Sequence, residues 1–191
     1  DFFFKDCLGV EYGVGYTGTY AKYRCFESYA HMHIMWGHES LNRDGTNYDV
    51  VIPNYFDLND FPYDPNQSKG DYYFFIGRLI SRKGIRIAVD VCNHLGKKLV
   101  IAGQGSRGYK KIGEDKYQLI GWDNEVYEGN IEYVGHVDIE QRAKWMGGAI
   151  ATFVPTIYVE PFGGVNVESM LLGTPVITSD WGAFTETNLH G

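Results

Sequence analysis

Tyr72-Tyr73-Phe74-Phe75-Ile76, running into Gly77-Arg78-Leu79-Ile80-Ser81-Arg82-Lys83-Gly84, is the stretch whose reading decides the fold. Five aromatic or β-branched residues closed by a glycine have the length and composition of a buried strand. Beyond the polar turn, Arg82–Leu95 reads as a helix with Gly96 as its C-terminal stop. A second apolar run, Lys98–Ala102, follows at once. Strand, helix and strand in that order form a βαβ unit, which requires a parallel sheet.

The same rhythm extends in both directions. Tyr48–Ile52, Ile131–Val134, Ala149–Val154 and Pro175–Thr178 read as further strands. Asp138–Met146 reads as a helix with Asp138 as N-cap, and Val165–Leu172 as one stopped at Gly173. The expected fold class is therefore α/β, a Rossmann-like doubly wound parallel sheet of about six strands. Two regions break the rhythm. Gln104–Asn130 is rich in Gly, Lys and acidic residues and reads as a long surface excursion. In residues 1–47, Glu11–Thr19 is glycine-rich and aperiodic, and Tyr20–Trp36 reads as a helix.

Bulk properties narrow the function classes. The chain has 191 residues, of which 44% are hydrophobic and 21% charged, enough for one well-filled core. A formal charge of −7 with no Lys/Arg block argues against nucleic acid as a partner. The cysteines Cys7, Cys25 and Cys92 are widely spaced and odd in number, so neither a disulfide framework nor a metal knot is expected. That composition points to a reducing, cytoplasmic setting. No apolar run approaches the ~20 residues of a membrane-spanning helix. His31, His33 and His38 lack companions at ligand spacing and read as structural or surface residues, so no metal site is expected. Trp122, Trp145 and Trp181 read as packing residues.

In an open parallel sheet the ligand crevice lies beyond the carboxyl ends of the strands. Glycine recurs at those ends, at Gly77, Gly103, Gly105 and Gly135, where it lets a ligand approach the backbone; close packing of helix on strand would use glycine equally. Gly103, Gly105 and Gly108 spell G-x-G-x-x-G after a strand. The dinucleotide fingerprint, however, needs a helix to open there, and Tyr109-Lys110-Lys111-Ile112-Gly113 is polar and broken by glycine. Arg78 leaves a strand end, and Lys83 falls where a helix begins. Such a pair suits a diphosphate, and it also suits a solvated basic turn. In Glu160-Pro161-Phe162-Gly163-Gly164-Val165-Asn166-Val167-Glu168, Gly163 and Gly164 open an apolar helix whose free amides can meet an anion. Glu160 precedes that helix and Glu168 lies about one turn inside it. Both carboxylates can accept hydrogen bonds from sugar hydroxyls, or else serve only loop amides and the helix dipole.

Taken together, these segments resemble the family-4 retaining glycosyltransferases of GT-B architecture. The likeness runs from Val51 to Glu186. It comprises Ile52-Pro53-Asn54-Tyr55-Phe56-Asp57, Gly77-Arg78 with Lys83-Gly84, Ala102-Gly103-Gln104-Gly105, and Tyr133-Val134-Gly135-His136-Val137. The Glu-x7-Glu element Glu160–Glu168 comes next, then Gly173-Thr174-Pro175-Val176-Ile177 and Asp180-Trp181-Gly182-Ala183-Phe184-Thr185-Glu186.

The resemblance implies a transferase that moves a sugar from a UDP- or GDP-sugar to an acceptor with retention of configuration. Arg78, Lys83 and Glu160 would be its catalytic residues. The two cations would neutralise the diphosphate and steady the leaving group, and Glu160 would hold donor-sugar hydroxyls. Gly77, Gly103, Phe162, Gly163 and Gly164 would line the donor. His136 and Val137 would seat the base through backbone atoms, and Glu168 would bind the ribose. No Asp-x-Asp occurs in the chain, which fits a metal-independent type with no cofactor, the nucleotide-sugar being a substrate. Residues 1–47 would be the remnant of an N-terminal domain and its linker. Residues 48–191 would be the nucleotide-sugar-binding domain, incomplete at its C-terminus. The missing N-terminal domain would carry the acceptor site, for a glycan, lipid or small molecule, so this stretch alone would transfer nothing. A membrane-peripheral position of the full-length enzyme is compatible with such an acceptor. Trp181-Gly182-Ala183 stands where the family usually shows paired glycines. The competing readings are a non-catalytic sugar-nucleotide-binding module and an epimerase-like relative on the same fold.

Overall fold

The structure, a computed structural model, describes residues 7–39 and 45–188. The chain divides into two compact units, one within Asp1–Tyr55, Val159–Gly163 and Asp180–Gly191, the other comprising Phe56–Tyr158 and Gly164–Ser179.

The smaller unit holds a three-stranded parallel sheet in the order β1 (Val10–Val14), β2 (Tyr23–Phe26), β3 (Asp49–Val51), with helix α1 (Tyr29–Glu39). Two expectations are corrected here. The glycine-rich segment begins with a strand, and the expected Tyr20–Trp36 helix is split into strand and helix. Arg24 is the reason. It pairs in register with Glu11 and Asp49, and its guanidinium grips the Asp49 carboxylate at 2.8 and 2.6 Å. Trp36 Nε1 donates to the same carboxylate at 2.6 Å. Such a cross-strand pairing of buried charges is invisible to helical periodicity.

The opposite face of this sheet carries Val10, Tyr12 and Val50, about half exposed. Glu186 caps α1 from the far end of the chain, accepting Tyr29 N–H at 2.9 Å and Ala30 N–H at 2.6 Å. His31 is buried, and burial pushes its imidazole below the ordinary value. Glu11 is also buried and accepts from Tyr16 Oη, Tyr20 N–H and Ala21 N–H.

The larger unit is built on five parallel strands. They are β4 (Tyr72–Ile76), β5 (Lys98–Ala102), β9 (Ile131–Gly135), β10 (Thr152–Val154) and β11 (Val176–Thr178), in the order β11-β10-β4-β5-β9. The sheet therefore has five strands where about six were expected, because the Tyr48–Ile52 run became β3 of the other unit. Helix α2 (Ile85–Leu95) buries Ile85, Ala88, Val89 and Cys92, a stripe at i, i+3, i+4 and i+7. It covers one face with Phe75, Leu99, Ile101 and Phe153. Helix α3 (Ile139–Gly148) supplies Met146 to the other face, where Phe74, Val100 and Leu172 pack. Phe74 and Phe75, like Val100 and Ile101, point to opposite faces, as a doubly covered strand requires.

The N-terminus of α3 and the glycine stops behave as the sequence predicts, whereas α2 opens at Ile85 and not at Arg82. Asp138 and Gln141 close a capping box on α3. Gly96 and Gly173 take positive φ, +62° and +68°, where α2 and α4 (Gly164–Leu171) stop. A buried polar knot explains the Gly173-Thr174-Pro175 segment. Ser169 Oγ donates to Thr152 Oγ1, and Thr174 Oγ1 donates to Met146 O, both at 2.8 Å. Lys69 Nζ donates to Gly147 O and Thr174 Oγ1 at 2.7 Å each, closing the C-terminal end of α3.

The largest departure lies in residues 104–130. This region is an antiparallel sheet of β6 (Gly108–Gly113), β7 (Lys116–Ile120) and β8 (Val126–Gly129), not a surface excursion. Leu119 and Tyr127 are fully buried and join the core beneath α2. The hairpin turns at Glu114-Asp115, with Asp115 at φ +48°. Its strands show one face to solvent, so their lysines and glutamates gave the segment a loop's composition. Among the tryptophans, Trp145 packs edge-on against Tyr72 as expected, whereas Trp122 is 62% exposed.

Leu119→Ala is expected to destabilise the protein by about 2–5 kcal/mol, measured by urea denaturation; a loss within about 0.5 kcal/mol would mean that the insert is peripheral. A second expectation concerns Glu11. Burial works to raise its carboxyl, but the hydrogen bonds from Ala21, Tyr16 and Tyr20 hold it below the ordinary value. A depressed folded value stabilises above the unfolded one, so the contribution is complete at neutral pH. It fades as pH falls below about 4 and is gone beneath the folded value. Glu11→Gln should flatten that acid limb of the stability curve.

Candidate functional site

The topological switch point of the larger sheet lies between β4 and β10, and the carboxyl ends of β4, β5 and β9 open beside it. A cleft of about 180 Å³ there is lined by Gly77, Arg78, Gly103, Gln104, His136, Val137 and Arg142. Backbone packing shapes it. Gly103 has φ +133°, and a Cβ at this position would lie 1.8 Å from Gly77 O. Its N–H donates to Gly135 O at 2.7 Å, and its carbonyl accepts from Tyr133 Oη at 2.8 Å. Gly135, at φ +75°, has nothing within 4 Å of where its Cβ would stand. Val137 turns its side chain into the core beside Met146, so it offers the cleft its backbone.

Arg78 and His136 are exposed on the cleft. Lys83 ends a short 3-10 turn, Ser81–Lys83, and is absent from the cleft lining. It stands instead at the switch point. Its Nζ donates to Tyr158 Oη at 2.5 Å and sits 4.8 Å from that ring's centroid, while the Arg82 guanidinium lies 5.3 Å from the same ring. Gly84, at φ +77°, locks the turn against the loop after β10, since a Cβ there would meet Pro155 O at 1.9 Å.

Glu168 is buried within α4, as expected for a residue about one turn inside it. Its Oε1 accepts from Arg142 Nη1 at 2.7 Å, and Oε2 has no hydrogen-bond partner among the described residues. Arg142 is the residue that sequence reasoning missed. Its only signal was indirect: the capping box at Asp138 sets the phase of α3 and puts Arg142 four residues on, below the end of β9. Gly164 opens α4, as predicted.

Glu160, Phe162 and Gly163 belong to the smaller unit. Glu160 and Phe162 are buried there. Gly182 at φ +64° lies so close that a Cβ would sit 3.0 Å from Glu160 N, and Ala183 N–H donates to Glu160 O at 3.1 Å. Gly163, at φ +83°, would drive a Cβ into the Phe184 ring. The late Trp181-Gly182-Ala183-Phe184 segment is thus the packing partner of Glu160–Gly163. The larger unit brings Gly77, Arg78, Gly103, His136 and Val137 around one cleft, with Glu168 joined to it through Arg142. The G-x-G-x-x-G match leads into β6 at Gly108, with no helix N-terminus to receive a pyrophosphate.

A parallel sheet with a basic, glycine-shaped cleft at its carboxyl edge defines a Rossmann-like α/β domain, the fold of the C-terminal domains of GT-B glycosyltransferases. Residues 59–191 match the family of glycosyl transferases group 1, and the chain belongs to that family. It is 34% identical over 121 residues to an uncharacterized glycosyltransferase of Methanocaldococcus jannaschii, covering 61% of this chain and 29% of that protein. It is 31% identical over 159 residues to the phosphatidyl-myo-inositol mannosyltransferase of Mycobacterium leprae, covering 78% and 39%. Anabaena HepE, solved with UDP and glucose, shares the fold with a TM-score of 0.67 at 19% identity, over 90% of this chain and 48% of that one. The chain spans less than half the length of the curated relatives it matches.

Arg142 and Glu168 are expected to couple. Arg142→Met alone should cost about 1–3 kcal/mol by stranding a buried carboxylate. The double variant Arg142→Met/Glu168→Gln should recover at least about 1 kcal/mol of it in urea melts; strict additivity would show that the pair is incidental.

Proposed function

We propose that the full-length protein is a retaining, metal-independent family-4 glycosyltransferase using a UDP- or GDP-sugar, and that this chain carries its donor site. The observation that carries the reading is the cleft at the carboxyl ends of β4, β5 and β9. It places Arg78 beside Arg142, and Arg142 holds a buried Glu168 whose second oxygen has no partner among the described residues. A carboxylate oxygen left in that state suits a ribose hydroxyl, because an unmade hydrogen bond there costs about 1–3 kcal/mol.

In this reading the nucleotide lies along the cleft. The ribose meets Glu168, the base meets the backbone of His136 and Val137, and Gly77 and Gly103 leave room for the diphosphate. Arg78 and Lys83 neutralise the diphosphate and stabilise the negative charge that builds on it as the glycosidic bond breaks. Lys83 exchanges its Tyr158 hydroxyl for a phosphate oxygen. The amide of Gly164, which opens α4 in the same unit, contacts the phosphate. Retention follows if the acceptor attacks from the face the leaving group vacates, with a departing phosphate oxygen taking the acceptor's proton.

The acceptor, a glycan, lipid or small molecule, is held by an N-terminal GT-B domain. The open apolar face of β1–β3, with Val10, Tyr12 and Val50 half exposed, supports such a domain, since parallel sheets are normally covered on both faces. Among the described residues no helix is long and apolar enough to cross a membrane, and a cytoplasmic, membrane-peripheral enzyme is the setting we favour. Relatives bear on the ligand class only by analogy: one is named for mannosyl transfer to phosphatidyl-myo-inositol, and another was solved with UDP and glucose.

Calorimetric titration of the full-length protein with UDP and GDP in excess chelator should show binding of one of them. In the transfer assay, Lys83→Ala should lower turnover by about 100-fold or more with little change in melting temperature. Silence from both nucleotides, or turnover kept within a few-fold, would overturn the assignment.

A further inference from the structure

The crossover from β5 to β9 is made by the β6–β8 sheet, where a helix is usual in a doubly wound fold. The tip of its second hairpin, Gly121–Asn124, fits beneath the chain that links Arg78 to Lys83. Trp122 N–H donates to Leu79 O at 2.8 Å, and a Cβ on Gly121 would lie 2.8 Å from that same oxygen. Asp123 Oδ2 accepts Ser81 N–H at 2.6 Å and also the Ser81 hydroxyl. Arg107 Nη1 donates to Asn124 Oδ1 at 3.0 Å and ties the tip back to the start of the insert. From the cleft side, Leu79 N–H donates to Gln104 O at 2.9 Å.

We infer that Asp123 is a positioning residue for the basic turn. Its carboxylate, delivered by the inserted sheet, sets the place of Ser81 and thereby of Arg78 and Lys83 on either side. The inference rests on the reading of those two cations as the diphosphate seat.

Two features separate this from ordinary packing. Asp123 is exposed and stands outside the core that Leu119 and Tyr127 join. It also brings a negative charge toward a site proposed for an anion, which is unfavourable unless its hydrogen bonds do something in return. Burial works to raise its carboxyl, yet the bonds from Ser81, with the amides of Glu125 and of Asp123 itself, hold it below the usual range. A fixed turn meets a diphosphate without first being ordered, which is how a supporting shell raises affinity.

The test is calorimetry on the full-length protein with whichever of UDP and GDP binds, alongside the corresponding nucleoside and a melting curve for each variant. Asp123→Ala should weaken nucleoside diphosphate binding about tenfold and leave nucleoside binding and the melting temperature nearly unchanged. Asp123→Asn, which keeps an acceptor for Ser81, should restore most of the loss. Ser81→Ala, which keeps the N–H bond but not the hydroxyl, should weaken binding about two- to threefold, and this variant decides the matter should Asp123→Ala fail to fold. Unchanged or tighter binding in Asp123→Ala, with Lys83→Ala weakened in the same titration, would overturn the positioning role and leave the diphosphate reading intact. Unchanged binding in Lys83→Ala would instead remove the diphosphate reading, and this inference with it.

Discussion

Where β4 and β5 end side by side, the carbonyl of Gly77 occupies the space a Cβ on residue 103 would need. Parallel neighbours in register bring their carboxyl ends to one edge, and only a residue without a side chain allows the two backbones to close at that point. Tyr133 Oη and the carbonyl of Gly135 then hold Gly103 from β9. Everything proposed for the cleft depends on this contact, because it decides where Arg78 leaves the sheet and how near a ligand can come to main chain.

Around that edge several polar groups are steadied by neighbours, while Arg78 stays exposed. Arg142 is opposed by Glu168, Lys83 by Tyr158, and the turn between Arg78 and Lys83 by Asp123. In a partly buried site this matters twice. Paired charges cost less to desolvate, and side chains already in place lose less freedom when a ligand arrives. The smaller unit uses the same device for structure alone: Arg24, Asp49 and Trp36 form a bonded row beneath its sheet.

The insert between β5 and β9 shows how a crossover can change its secondary structure and keep its place. Leu119 and Tyr127 fill the volume under α2 that a helix would fill. The exchange brings a hairpin tip to the turn between Arg78 and Lys83, which a helix running antiparallel to the strands would not present in that place.

Much was legible in the sequence because it depends on local rules. The apolar runs of β4, β5 and β9, the N-cap at Asp138 and the stops at Gly96 and Gly173 are each set within a few residues by strand length, a side-chain acceptor or a need for positive φ. Glycine recurring at strand ends likewise marks Gly77, Gly103 and Gly135. The misses share one cause: they depend on partners distant in sequence. Whether Tyr48–Ile52 joins the main sheet or pairs with β2 was decided by the Arg24–Asp49 contact, and the strand character of Gly108–Gly129 by what Leu119 and Tyr127 reach. Arg142 and Asp123 gained meaning only when folding set them against Glu168 and Ser81, 26 and 42 residues away. Sequence by itself determined the strands and helices of the βαβ repeat from Tyr72 onward, their order and the chemistry available at the sheet edge, since those follow from side-chain pattern. Tertiary structure alone decided which charges face each other, because pairing across such distances is set by packing.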